Sequence, residues 1–219
     1  MAPENTAALS WSLVVPVKVL AQAKSRLSGL AGQLRADLAL AMAGDTIAAA
    51  VAARSVADVL VVTDDVEVSE IAAGLGAIVL PDLPAAGLNA ALGHGAAYSL
   101  ANWPERGRAA LAGDLPALRP GELDAAFAAV GNRSAFVPDA DGTGTTLYAA
   151  GPGADFRPEF GVASRDRHVA GGAIELDLGD LAPGLQRDVD TVDDLRQAAV
   201  IGLGPHTLAV LTKADSIPS

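Results

Sequence analysis

Residues 13–19 read LVVPVKV, an almost unbroken β-branched run interrupted only by Pro16 and Lys18. A run without polar alternation suits a strand buried on both faces of a parallel sheet. Pro16 has no N–H for the ladder, so it marks an irregular or edge position. A long helix over residues 33–53 follows, and residues 56–63 (VADVLVVT) repeat the buried-strand pattern before Asp64-Asp65. Working outward, the chain predicts a helix over 66–75, a strand over 77–80 ended by Pro81 and a helix over 88–101. A fourth strand over 108–112 runs into Gly113-Asp114, and a helix over 120–130 carries a proline near its first turn. Strand and helix alternate four times, which predicts a parallel sheet with right-handed crossovers. After Gly131 the pattern changes to short strands at 135–137, 145–150 and 174–178, with Gly-rich turns and a last helix at 192–200. The expected fold class is α/β, with a mostly parallel central sheet and a mixed C-terminal half. One domain over 11–211 is expected, flanked by flexible tails at 1–10 and 212–219.

The chain has 219 residues, 51% of them hydrophobic but only 4% aromatic, so its core must be built from Ala, Val and Leu. Small side chains suit helices lying close on a sheet. There is no cysteine, which rules out disulfides, thiolate metal sites and a cysteine nucleophile. Residues 38–53 are apolar but broken by Gly44, Asp45 and Thr46, so no membrane span is expected. The first residues, MAPENTAALS, lack a basic start and an apolar stretch, and a cytoplasmic location is the expectation. A net charge of −11 argues against nucleic acid as a partner. Residues 11–36 nevertheless carry Lys18, Lys24, Arg26 and Arg35 and no acid, which is where an anionic ligand belongs in so acidic a chain.

In an open parallel sheet, ligands bind beyond the carboxyl ends of the strands. After the first strand, Lys18, Lys24 and Arg26 are placed to clamp a triphosphate, the arginine as a fork and the lysines as point charges. The loop lacks the glycines of a Walker loop or a dinucleotide fingerprint. After the second strand, Asp65 is the expected helix cap, while Asp64 is free to meet a base or a ribose. After the third, Gly87 permits close backbone approach, and Asn89 either caps a helix or reads a base edge. After the fourth, Asp114 stands between Gly113 and a Pro-stiffened turn, a suitable Mg²⁺ ligand. Magnesium takes one or two protein carboxylates plus phosphate oxygens and water, so a second is wanted. Asp188 and Asp190 share one face of an extended segment and are both candidates, with Thr191 as a cap for the last helix. The Gly-rich stretch 141–146 offers hydroxyls and open backbone N–H groups. Gly161 and Ser164 precede a helix whose N-terminus suits a phosphate or carboxylate. Arg165, Arg167 and His168 lie close by, the histidine either functional or a satisfied core residue.

Gly-Asp-Leu-Pro at 113–116 and the segment 188–195 resemble the two metal-binding segments of GT-A-like nucleotidyltransferases. The opening PVKVLAQAKSRL, VPDADGTGTTLY at 137–148 and EFGVASRDRH at 159–168 are similar to the guanylyltransferases of coenzyme F-420 biosynthesis, over about residues 12–200. One departure is Val192, where the superfamily usually has proline. The resemblance implies a three-layer, Rossmann-like nucleotidyltransferase that uses Mg²⁺ and GTP. The acceptor would be phosphoenolpyruvate or 2-phospho-L-lactate, and the Ala- and Gly-rich composition matches the members that use the former. By the same resemblance Asp114 and Asp190 would hold Mg²⁺, and Thr146, Gly161 and Ser164 would receive the phospho-acid. Lys18, Lys24 and Arg26 would sit by the triphosphate, with Gly87 and Asn89 near the guanine. Handover of the product to a downstream transferase is a further implication. The alternatives are a nucleotidyltransferase for another acceptor, a glycosyltransferase of the same topology and a non-catalytic GTP-binding regulatory protein.

Overall fold

The computed structural model describes residues 10–18, 32–83 and 85–215. Seven strands among them form one sheet in the order β3-β2-β1-β4-β6-β5-β7. The first half contributes β1 (Trp11–Pro16), α1 (Gly32–Ala52), β2 (Val56–Val62), α2 (Val66–Gly74), β3 (Ile78–Leu80), α3 (Leu88–Asn102) and β4 (Gly107–Leu111). All four of these strands run parallel. The second half supplies α4 (Pro120–Val130), β5 (Ser134–Pro138), β6 (Thr145–Ala150), α5 (Ser164–Ala170) and β7 (Ile174–Glu175). It ends in α6 (Pro183–Gln186), α7 (Val192–Ile201) and α8 (Pro205–Asp215). β6 runs antiparallel to both β4 and β5, so the mixed half begins where the sequence pattern changes.

Alternation along each strand divides the core into two layers against the sheet. Leu13, Val15, Val59, Val61, Ala109 and Leu111 face α1, α2 and α4 through Ile47, Ala50, Val68, Ala72, Leu123 and Phe127. Val14, Leu60, Val62 and Ala110 face the other way, toward Ala91 and Leu92 of α3. The result is an α/β/α sandwich of three layers. Small residues allow close approach: a Cβ on Gly95 of α3 would stand 2.5 Å from a Val14 methyl. Among the few aromatics, the Trp11 ring of β1 is stacked on Phe127 of α4 at a centroid separation of 4.6 Å.

Three strand boundaries differ from the sequence expectation by two residues or more. β1 begins at Trp11 and ends at Pro16, instead of spanning 13–19. Burial of the Trp11 ring over Gly107 and Phe127 extends the strand backward. β1 is central and not an edge strand; Pro16 is tolerated because it lies past the last β4 partner of the strand, Val14 opposite Ala110. Val17 N–H still reaches the Val62 carbonyl at 3.0 Å. β7 is cut to two residues because Leu176 and Leu178 turn into the core. The chain also builds one helix beyond the expected last one. α8 packs along α1 and continues through Asp215, past the boundary expected at 212. Among the described residues, no helix is long and apolar enough to cross a membrane.

Candidate active site

The carboxyl ends of β1 and β4 open into a cavity of about 990 Å³, closed by the loops at 139–145 and 160–166 and by the segment carrying Asp188 and Asp190. Lys18, Asp114, Gly161, Ser164 and Asp190 all line it, so expected residues from four separate segments meet in one place. Lys24 and Arg26 lie outside the described residues. Asp64, Gly87, Asn89 and Thr146 are not in the lining.

Each acidic segment is held by backbone bonds that leave carboxylates directed by the chain path. The Asp114 carbonyl accepts from Val189 N–H at 3.1 Å, which ties the β4 turn to the 188–190 segment. The next residue, Leu115, donates its N–H to Thr46 Oγ1 at 2.9 Å, so a buried hydroxyl in the middle of α1 fixes the turn from below. Val189 is fully buried between the two acids, and Thr191 caps α7 in a capping box with Asp194. Asp65 likewise caps α2, as expected.

Burial, together with the charges of Asp114, Asp139 and Asp190, pushes the Asp188 carboxyl up to about 7. Carboxylates crowded this tightly at a cavity wall suit a divalent cation, whose charge offsets their repulsion. No group of three or more His, Asp or Glu side chains able to hold a metal comes together among the described residues. A cation here would therefore be held by one or two carboxylates and by substrate phosphates, the arrangement typical of Mg²⁺.

The Gly-rich loop differs from expectation. Its N–H groups are not open: Thr143 and Gly144 donate to the two Asp139 carboxylate oxygens at 2.9 and 2.8 Å, and Gly142 donates to the Asp139 carbonyl. A Cβ on Gly144 would stand 2.2 Å from Asp139 Oδ2, so glycine is what lets the loop close on this acid. The start of α5 is similarly committed, with Ser164 N–H on the Gly161 carbonyl and Arg165 N–H on the Thr143 carbonyl. The Arg165 guanidinium grips Glu175 at 2.8 and 3.0 Å. Gly161 has φ 118°, in the region that favours glycine.

Asn89 neither caps α3 nor faces the cavity. Its amide bonds the Phe160 backbone in both directions, accepting from the N–H at 2.9 Å and donating to the carbonyl at 3.0 Å. It latches the 160–166 loop onto α3. Gly87, at φ 97°, starts that helix. Asp64 accepts from Asp82 N–H at 3.0 Å, joining the loops after β2 and β3. Thr146 is buried with its hydroxyl on the Val137 carbonyl, and of this adjacent pair it is Thr145 that lines the cavity.

His168 is a buried, satisfied histidine. Its ring stacks on Tyr148 at 4.8 Å and is enclosed by Phe136 and Phe160. Burial, with Arg167 beside it, lowers its pKa from 6.5 to about 4. Between those values the unfolded chain takes a proton that the native chain refuses. The stability this contributes is whole above 6.5 and is lost as pH falls toward 4. The melting temperature is expected to drop on acidification through this window, and His168→Phe to flatten the drop. Parallel profiles for the two proteins would remove His168 as the cause.

A family model described as "Guanylyl transferase CofC like" matches residues 11–214. This chain belongs to that family. Among its relatives, the phosphoenolpyruvate guanylyltransferase of Thermomonospora curvata is 53% identical over 95% of this chain and 92% of its own. That of Streptomyces coelicolor is 54% identical over 94% and 97%. The fold is shared more widely. A putative nucleotide-diphospho-sugar transferase from Desulfovibrio desulfuricans superposes with a TM-score of 0.69 at 16% identity, covering 95% of this chain and 96% of that one. A nucleotidyl transferase from Methanothermobacter does so with a TM-score of 0.52 at 18% identity, covering 88% and 97%. Within this guanylyl transferase, sequence reasoning passed over Asp139 and Thr145. The signal for Asp139 was an Asp at the entrance to a Gly-rich turn, a residue type that bonds nearby backbone N–H groups. Thr145 had no such signal.

Proposed function

We propose that this chain transfers GMP from GTP to phosphoenolpyruvate, releasing pyrophosphate and forming enolpyruvyl-diphospho-guanosine, as its relatives' name and the F-420 resemblance imply. The observation that carries the reading is the meeting of Asp114, Asp188 and Asp190 with Gly161 and Ser164 across one cavity. One cavity thus brings together acids suited to a phosphate-bound metal and a segment suited to a small acid.

In this reading a phosphate oxygen of the acid bonds to the α-phosphorus of GTP, and the bond from that phosphorus to the bridging oxygen of pyrophosphate breaks. The attacking oxygen is already ionised near neutral pH, so no general base is needed and the work lies in positioning and charge. Asp114 with Asp190 or Asp188 would hold Mg²⁺, which when bound supplies Lewis-acid neutralisation of the phosphates. Lys18 faces the cavity from the end of β1 and, with Lys24 and Arg26, would balance the charge of the departing pyrophosphate. Asn89 keeps the acid-side loop in place through Phe160. Asp139 keeps the loop beside it closed.

The test is pyrophosphate release with Mg²⁺ and GTP in the presence of phosphoenolpyruvate, 2-phospho-L-lactate or neither. Release that requires phosphoenolpyruvate is expected. Release with the lactate alone would change the acceptor, and the absence of release with either acid would sink the transfer reading.

A further inference from the structure

His168 lies behind the cavity wall, and its two ring nitrogens are both engaged. Glu159 N–H donates to Nε2 at 2.8 Å. Because a backbone N–H donates there, Nε2 carries no proton, and the ring proton belongs to Nδ1. Nδ1 is 2.9 Å from Thr145 Oγ1 and therefore donates to it. Ser164 Oγ donates to the same Thr145 oxygen at 3.1 Å. A hydroxyl oxygen has two acceptor sites, and both are filled. The Thr145 proton must then point elsewhere. Thr145 and Ser164 are both buried in the protein yet line the cavity, and the hydroxyl bonds of Thr145 among the described residues are those to His168 and Ser164.

We propose that His168 is a positioning residue that, as the Nδ1–H tautomer, turns Thr145 into a dedicated hydrogen-bond donor to an anionic oxygen of the acceptor acid. The inference rests on the guanylyl-transfer reading and adds a specificity device to it. A hydroxyl free to rotate accepts or donates as its ligand requires. This one is committed to donate, so it favours an ionised phosphate or carboxylate oxygen over a hydroxyl or amine. The aromatic enclosure by Phe136, Tyr148 and Phe160 keeps water from competing for the imidazole. Ser164 remains able to accept, through its own oxygen, while its proton is held on Thr145.

The experiment is steady-state kinetics of Thr145→Val, His168→Phe and the double variant, with KM for the acid and for GTP measured separately. Thr145→Val preserves shape and removes the hydroxyl. It should raise KM for phosphoenolpyruvate roughly ten- to hundredfold, the range for a hydrogen bond to a charged group, and leave KM for GTP within about twofold. His168→Phe keeps an aromatic ring but frees the hydroxyl, and should raise the same KM by about three- to tenfold. Because both act through one proton, the double variant should match Thr145→Val within about twofold instead of multiplying the two effects. Multiplied effects, or equal rises in both KM values, would show that His168 supports the structure only and overturn the proposal. The ¹⁵N shifts of His168 provide an assay-independent check, since a ring protonated at Nε2 also overturns it. Wild-type protein without acid-dependent release removes the transfer reading and this inference together. Wild-type turnover with an unchanged KM in Thr145→Val removes this inference alone.

Discussion

Asp114→Asn is expected to lower kcat for guanylyl transfer by at least ~10²-fold, the scale of a lost electrostatic stabiliser. The variant should remain folded. Two bonds that hold residue 114 in place are made by the backbone, from Val189 N–H to its carbonyl and from the neighbouring Leu115 N–H to Thr46. Neither needs the carboxylate. The substitution removes one negative charge from a group in which Asp188 is already pushed up to about 7 by burial and by Asp114, Asp139 and Asp190. The expected signature is thus loss of turnover with an unchanged or raised melting temperature. Pyrophosphate release and a thermal melt on the same preparation separate these. A variant that keeps more than about a tenth of wild-type kcat would move the metal role away from Asp114.

Asp45→Ala is the largest expected effect on stability. Asp45 is buried in α1 and receives His206 N–H and Thr207 N–H, both at 2.9 Å, so it caps α8 from across the molecule. The turn before α8 passes directly over it: a Cβ on Gly204 would stand 2.3 Å from Asp45 Oδ1. Alanine leaves two helix-terminal N–H groups without their acceptor, that of Thr207 fully buried and that of His206 partly so. That costs roughly 2–4 kcal/mol, since bonds to charged groups exceed neutral ones. For a chain of this size the melting temperature should fall by about 5–15 °C. Asp45→Asn keeps an acceptor and should lose about half as much. A melt within about 2 °C of wild type would mean that α8 is held by its packing on α1 and not by the cap.

How far the site was legible depended on whether a residue acts on its neighbours in sequence or on partners brought in by folding. Asp65 and Thr191 were readable as caps because each bonds N–H groups two or three residues ahead. Asp114 was readable because the end of a parallel strand is a ligand position by topology, and Asp188 and Asp190 because an extended segment puts both on one face. Asn89 was not, because its partner Phe160 is 71 residues away. Nor was Thr145. The β5–β6 register shifts between Val137 and Pro138, so Val137 faces Leu147 while Pro138 faces Thr145. Thr146 is the extra residue of that irregularity and spends its hydroxyl on the strand, and Thr145 turns toward Ser164 and His168.

Local pattern along the chain was enough for the alternation of buried strands and helices, the change to a mixed sheet after Gly131, and the acids and cations after the strands. These follow from local periodicity and from short-range bonding, which a single chain segment carries whole. Packing between distant segments settled which of Thr145 and Thr146 lines the cavity, which way the Asp139 loop turns its N–H groups, and what Asp45, Asn89 and His168 bond. Each of those outcomes depends on a partner supplied by a distant segment. A side chain's type limits the bonds it makes, but packing decides which donor or acceptor arrives to make them.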